Sequence, residues 1–179
     1  QEQLCEGGTP YCLDGGCVAL PDNIASMPGQ IIITEVMGDP SGTDSDREWI
    51  ELYNTTDAEL SLFTLKLTDN EMGNSFSEVE ILDPTAVIPA KGYAVLATNQ
   101  DDMINGGITG AYLLGKGLLK NTPEEDMNTG LSLMKLRLVT SDDMLIDEAY
   151  YATPVSGQAQ QLDLSSYTDA GIPDITVVN

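Results

Sequence analysis

The chain reads as an all-β sandwich or barrel. From Gln30 onward, short β-branched or alternating runs recur, each bounded by Gly, Pro, Asn or Asp. No segment carries a convincing 3.6-residue apolar period, so no helix is expected. The apolar fraction of 41% suffices for a core, and aromatics at 6% make that core mostly aliphatic.

The first 29 residues are rich in turn formers and read as a Cys-stapled arm and linker, with Pro28-Gly29 as the boundary. The sandwich is expected over 30–165 and a tail with an extra strand over 166–179. Ile31–Val36 is the opening strand, and Met37–Asp46 is a loop whose Gly38-Asp39-Pro40 and Ser41-Gly42 leave no room for a helix. In Glu48–Asn54, Ile50 and Leu52 share one face and Trp49, Glu51 and Tyr53 the other. Leu62–Asp69 alternates again, whereas Asn70–Glu80 is polar and loop-like. Ile81-Leu82 and Val87-Ile88 are short apolar segments closed by prolines, and Tyr93–Thr98 is a strand.

Asn99–Asn128 is the least regular portion, with a short strand at Ala111–Leu114 and acidic turns at Asp101-Asp102 and Glu124–Asp126. A connection this long is usually functional or mobile. Leu131–Thr140 and Leu145–Tyr151 form a hairpin around Ser141-Asp142-Asp143, with a β-bulge expected where the alternation slips at Leu133-Met134. Gln160–Leu164 is a last short strand, and Ile175–Val178 a β-branched run near the end.

Seven Lys and Arg against 29 Asp and Glu give a formal charge of −22. Such a surface repels phosphate backbones and anionic bilayers, which argues against nucleic-acid partners. No run approaches the roughly 18 apolar residues of a spanning helix, so membrane insertion is not expected. Histidine is absent, which removes Ser–His–Asp and Cys–His catalysis and imidazole-ligated zinc. The chain opens on Gln1 and not on Met, which reads as a processed or cut protein.

Cys5, Cys12 and Cys17 lie within 17 residues, spaced C-x6-C-x4-C among Gly, Pro and Asp. This resembles part of a small secreted disulfide knot and places the protein outside the cytoplasm. The odd count leaves one thiol over, read either as part of a truncated module or as an intermolecular disulfide. Zinc normally takes four ligands, so three cysteines without histidine argue against it.

The order of motifs resembles the lamin tail domain in its bacterial secreted form. The matching pieces are Ile32–Met37, the Asp39-Pro40 loop, Glu48-Trp49-Ile50-Glu51-Leu52-Tyr53-Asn54, and Leu65–Asp69 after Leu62. They continue with Ile88-Pro89-Ala90-Lys91-Gly92-Tyr93, Leu131–Val139, Ile146–Tyr150, and Gly157 followed by Gln161-Leu162. The resemblance implies an immunoglobulin-like β-sandwich and a non-enzymatic binding or assembly module. It leaves out the Cys-rich arm, the Asn99–Asn128 insertion and Ile175–Val178. No heptad run is present, so a nuclear-filament role is not implied.

Glu35, Glu48 and Glu51 lack a partner base or nucleophile, and Glu48 and Glu51 point to opposite strand faces, so catalysis is not expected. Asp39, Asp44, Asp46 and Glu48 could wrap Ca²⁺ or form a solvated acidic loop, without EF-hand order. Trp49 is expected in the core or on a sheet face, with carbohydrate stacking as the alternative. Asn54-Thr55-Thr56 fits a glycosylation triplet, which is common by chance. Ile175, Thr176, Val177 and Val178 form a spare strand that either covers an edge of its own sheet or adds to a neighbouring copy.

These features predict a non-enzymatic extracellular structural subunit that self-associates, into filaments, through its termini and sheet edges. The alternative is an accessory binding or adhesion module of a larger secreted or surface protein, possessing a Ca²⁺ site in one variant. Partners are then other copies, or another extracellular protein.

Overall fold

The computed structural model describes residues 11–13, 16–42, 44–69, 77–119, 124–125, 132–162 and 177–178. Two sheets face each other across an aliphatic core. The larger is assembled from β3 (Ile31–Met37), β4 (Trp49–Asn54), β9 (Tyr93–Ala97), β10 (Tyr112–Leu113), β14 (Gln160–Leu162) and β15 (Val177–Val178), in the order β10-β9-β4-β3-β14-β15. All its pairings are antiparallel except β10 with β9. The second sheet holds β6 (Lys66–Asp69), β7 (Ser77–Glu80), β12 (Ser132–Val139) and β13 (Leu145–Tyr151), with β12 between β13 and β6 and the two-residue β11 (Glu124–Glu125) beside its start. A small ladder of β5 (Leu60–Ser61) with β8 (Val87–Ile88) closes one end. A hairpin of β1 (Tyr11–Leu13) with β2 (Gly16–Val18) precedes the sandwich.

Alternation in the sequence becomes the two faces of each strand. Ile31, Ile33, Ile50, Leu52 and Leu96 face the interior from the larger sheet and meet Leu67, Leu136, Leu138 and Ile146 from the second, all buried. Burying such side chains stabilises by about 1.5–3 kcal/mol each, the dominant favourable term in the fold. The core also draws in residues ahead of Gln30: Ala25 is fully buried, and Ile24 bridges to Ser61.

The structure revises several expected elements. The strand expected from Leu62 starts at Lys66, because Leu62–Leu65 is a corner that carries the chain from the small ladder to the second sheet. Thr64 takes a positive φ of 67° there, held by its N–H donating to the Ile81 carbonyl. The polar Ser77–Glu80 is not loop but strand, paired with β6. Glu124-Glu125 is likewise a short strand and not a turn. Asp44–Asp46 forms one turn of 3-10 helix inside the loop where no helix was expected.

The expected bulge at Leu133-Met134 is replaced by two others. One sits between Leu138 and Val139, where Leu138 opposes Asp147 and Val139 opposes Leu145, so that Ile146 is the extra residue. The other makes Thr34 the extra residue in β3. A bulge shifts the pleat by one residue. The first therefore turns Asp147 inward, and the second brings Glu35 to the outside.

Candidate functional site

The outer face of the larger sheet concentrates chemistry. On β4, Trp49, Glu51 and Tyr53 point outward opposite Met37, Glu35 and Ile32 of β3, and opposite Ala97, Val95 and Tyr93 of β9. Tyr53 and Tyr93 stack with ring centroids 4.8 Å apart. Tyr93 and Leu113 are each 53% exposed, and Trp49 is half-buried on this face.

At its centre Glu35 and Glu51 are direct cross-strand partners. Like charges in this position repel. Burial pushes the Glu35 carboxyl upward from its ordinary pKa, and the Glu51 charge adds to the rise. Thr34, displaced by its bulge, donates its hydroxyl to Glu51 Oε1 at 2.7 Å. Among the described residues no cation pairs with either carboxylate, and the two together have the means to recognise a cationic group.

The outer face of the second sheet carries paired charges. Lys135 and Arg137 of β12 share the single carboxylate of Glu148 on β13, at 2.8 and 3.2 Å. Tyr150 donates to Glu148 at 2.6 Å, and the Lys135 ammonium lies 5.2 Å from the Tyr150 ring centroid. Lys66, on the same sheet, pairs with Asp143 and Glu78.

Asp147 occupies the inner face between the sheets and is 2% exposed. Its Oδ2 accepts the Ile33 N–H at 2.7 Å, while no hydrogen-bond partner reaches Oδ1 among the described residues. Burial raises its pKa to about 6, opposed by the backbone N–H groups of Ile33 and Glu148. The arrangement pins one sheet to the other.

The described loop acids are engaged separately. Asp46 pairs with Lys116, and the Glu48 carbonyl takes the N–H and hydroxyl of Thr98. The Asp39 carbonyl accepts the Gly157 N–H, and the Asp44 side chain lies outside the described residues. Among the described residues no three acids are grouped to hold a metal ion. Asp143 is committed to Lys66, and Asp101 caps the N–H of Met103.

Asn54 is fully buried. Its amide donates to the carbonyls of Ala58, Ile88 and Pro89, and its oxygen accepts from the Thr56 N–H and hydroxyl. In the folded chain it is a corner pin and not a glycan acceptor. Asn105 does the same work in the long connection, bonding Asn99, Gly107 and Ile108.

At the chain's ends, Cys12 and Cys17 oppose each other across the β1–β2 hairpin, and Cys17 is disulfide-bonded. Cys5 and the Cys12 side chain lie outside the described residues. Tyr11 packs edge-on against buried Phe63 and donates its hydroxyl to Glu80, which docks the hairpin on the second sheet. Val177 and Val178 pair with Leu162 and Gln161 on the β14 edge; Ile175 and Thr176 lie outside the described residues.

Trp49 and Glu51 stand on a strand as the alternation predicts, and of the expected tail strand Val177 and Val178 are paired. Sequence reasoning missed the Glu35–Glu51 pairing, which depends on the Thr34 bulge, and it missed Asp147, whose charge reads as solvent-facing.

Two facing sheets around a shared aliphatic core define an immunoglobulin-like β-sandwich. Residues 25–153 match the Lamin Tail Domain family, well over half of the chain, and this protein belongs to that family. The family is a structural, immunoglobulin-like one that often mediates protein interactions. A search of curated proteins found no match.

Proposed function

We propose that this chain is a non-enzymatic, extracellular structural subunit that associates with copies of itself, into filaments, through its termini and sheet edges. The observation that carries the reading is the Val177–Val178 strand lying on the β14 edge in antiparallel register. Backbone ladder bonds do not distinguish which copy supplies a strand, so the same edge can accept the same tail from a neighbour. The cysteine hairpin docks on the other sheet, through Tyr11 against Phe63 and Glu80. Head and tail features therefore belong to different surfaces, and contacts between unlike surfaces grow open chains instead of closing. Three cysteines leave one beyond a single pair, available for a covalent link in an oxidising compartment.

Sedimentation velocity and non-reducing gels of the purified chain test this. The expected result is a series of species that shortens when residues 175–179 are removed and whose covalent part collapses on reduction. A single monomeric species at native salt, with both ends intact, overturns the proposal.

A further inference from the structure

The strand that receives the tail is lightly held by its own sheet. β14 is three residues long; it pairs with β3 at Gln160 and Gln161, and with the tail at Gln161 and Leu162. So short a strand frays unless side chains secure it. Two side chains do so, both on its inward face. Leu162 is buried in the aliphatic core. Gln160, also buried, turns its amide to the chain just past β13. Its Oε1 accepts the Ala152 N–H at 2.9 Å, and its Nε2 donates to the Ala152 carbonyl at 2.8 Å. A side chain thus supplies the donor and acceptor that a neighbouring strand would offer. Between Ala152 and Gln160 the chain makes an excursion, bridged from Val155 to Gln158 and pinned by the Gly157 N–H to the Asp39 carbonyl. The clasp closes the neck of that excursion, where the chain passes from the second sheet to the larger one.

Resting on the self-association reading, we infer that Gln160 is the positioning residue of the tail-accepting edge. Its clasp keeps β14 with its own sandwich, so the segment exchanged between copies is the tail and not β14. It also holds the β14 backbone in register for whichever copy's tail arrives. The bonds specify the residue type. A neutral amide brings one donor and one acceptor to the same pair of backbone groups; an ionised carboxylate only accepts, and an apolar side chain does neither. Without the amide, the Ala152 N–H and carbonyl lose their side-chain partners and β14 is left with two ladder pairs and Leu162.

Hydrogen exchange and sedimentation velocity of the full chain decide it. Gln160→Met keeps the length of the side chain and removes both bonds. Amide exchange at residues 160–162 and 177–178 is expected to speed up about tenfold or more, while Ile31–Ile33 and Trp49–Asn54 keep wild-type protection. Tail-dependent assembly is expected to weaken about fivefold or more. Should Gln160→Met fail to fold, Gln160→Glu, which keeps the shape and the acceptor and loses the donor, is read in the same way. Wild-type protection at 177–178 overturns the inference. Equal acceleration in β3, β4 and β14 also overturns it, because Gln160 is then a general contributor to stability. If assembly is unchanged in the folded variant yet still depends on residues 175–179, the inference fails and the function proposed above survives. A wild-type chain that stays monomeric overturns that function, and exchange at 177–178 still decides whether Gln160 sets the edge for the chain's own tail.

Discussion

The backbone N–H of Ile33 donates to the carboxylate of Asp147 across the two sheets at 2.7 Å. This side chain replaces a missing ladder partner. β14 reaches β3 only at Glu35 and Val36; the earlier half of β3 is met instead by β13 through Asp147, and the turn before it through the Gly29 N–H to the Ile146 carbonyl. The Ile146 bulge makes the contact possible by turning Asp147 inward.

A buried carboxylate with one unpartnered oxygen is costly when ionised. Its folded pKa of about 6 lies above the 3.8 of an ordinary aspartate. The folded state therefore holds the proton more tightly than the unfolded chain. The resulting stabilisation is present below about pH 4 and is lost as pH rises through about 6. At about 1.4 kcal/mol per pKa unit, it is on the order of 3 kcal/mol. Asp147→Asn keeps an acceptor for Ile33 and removes the titration. Urea unfolding at pH 4.5 and 7.5 should show the wild type gaining stability on acidification relative to the variant. An unchanged difference between them at the two pH values would refute the assignment.

Asn54→Ala should destabilise by about 2–3 kcal/mol, because it removes the side-chain donor from the buried Ile88 carbonyl and opens the Asn54–Ala58 turn. Chemical denaturation reads this directly. A loss below about 1 kcal/mol would mean that water replaces the amide.

Gly157 has a φ of 76°, and a Cβ there would collide with the Ser41 hydroxyl. Gly157→Ala should cost about 1–3 kcal/mol, part from the left-handed backbone and part from the clash. Adding Ser41→Gly should recover the second part only. Full recovery would show that backbone strain contributes nothing.

Calcium and magnesium at equal ionic strength should raise the melting temperature equally, through screening of the net charge. Asp46 is already paired with Lys116, and the described loop acids do not gather around one point. A distinctly larger response to calcium would reveal a dedicated oxygen cage instead.

The sequence by itself determined the all-β class, the main strands and the family. Alternation in Glu48–Asn54 and Tyr93–Thr98 is a local consequence of the pleat, so it survives in the order of residues. The Pro-Ala-Lys-Gly turn and the hairpin around Asp142-Asp143 are equally local. Ser77–Glu80 was not legible, because a polar strand is defined by its partner and β6 supplies that partner. Only the tertiary structure decided where the bulges fall. A bulge reverses the facing of everything beyond it, and nothing local marks whether Thr34 or Ile146 is the extra residue. For that reason the inward Asp147 and the outward Glu35–Glu51 pair are properties of strand register, set by how two distant segments pack.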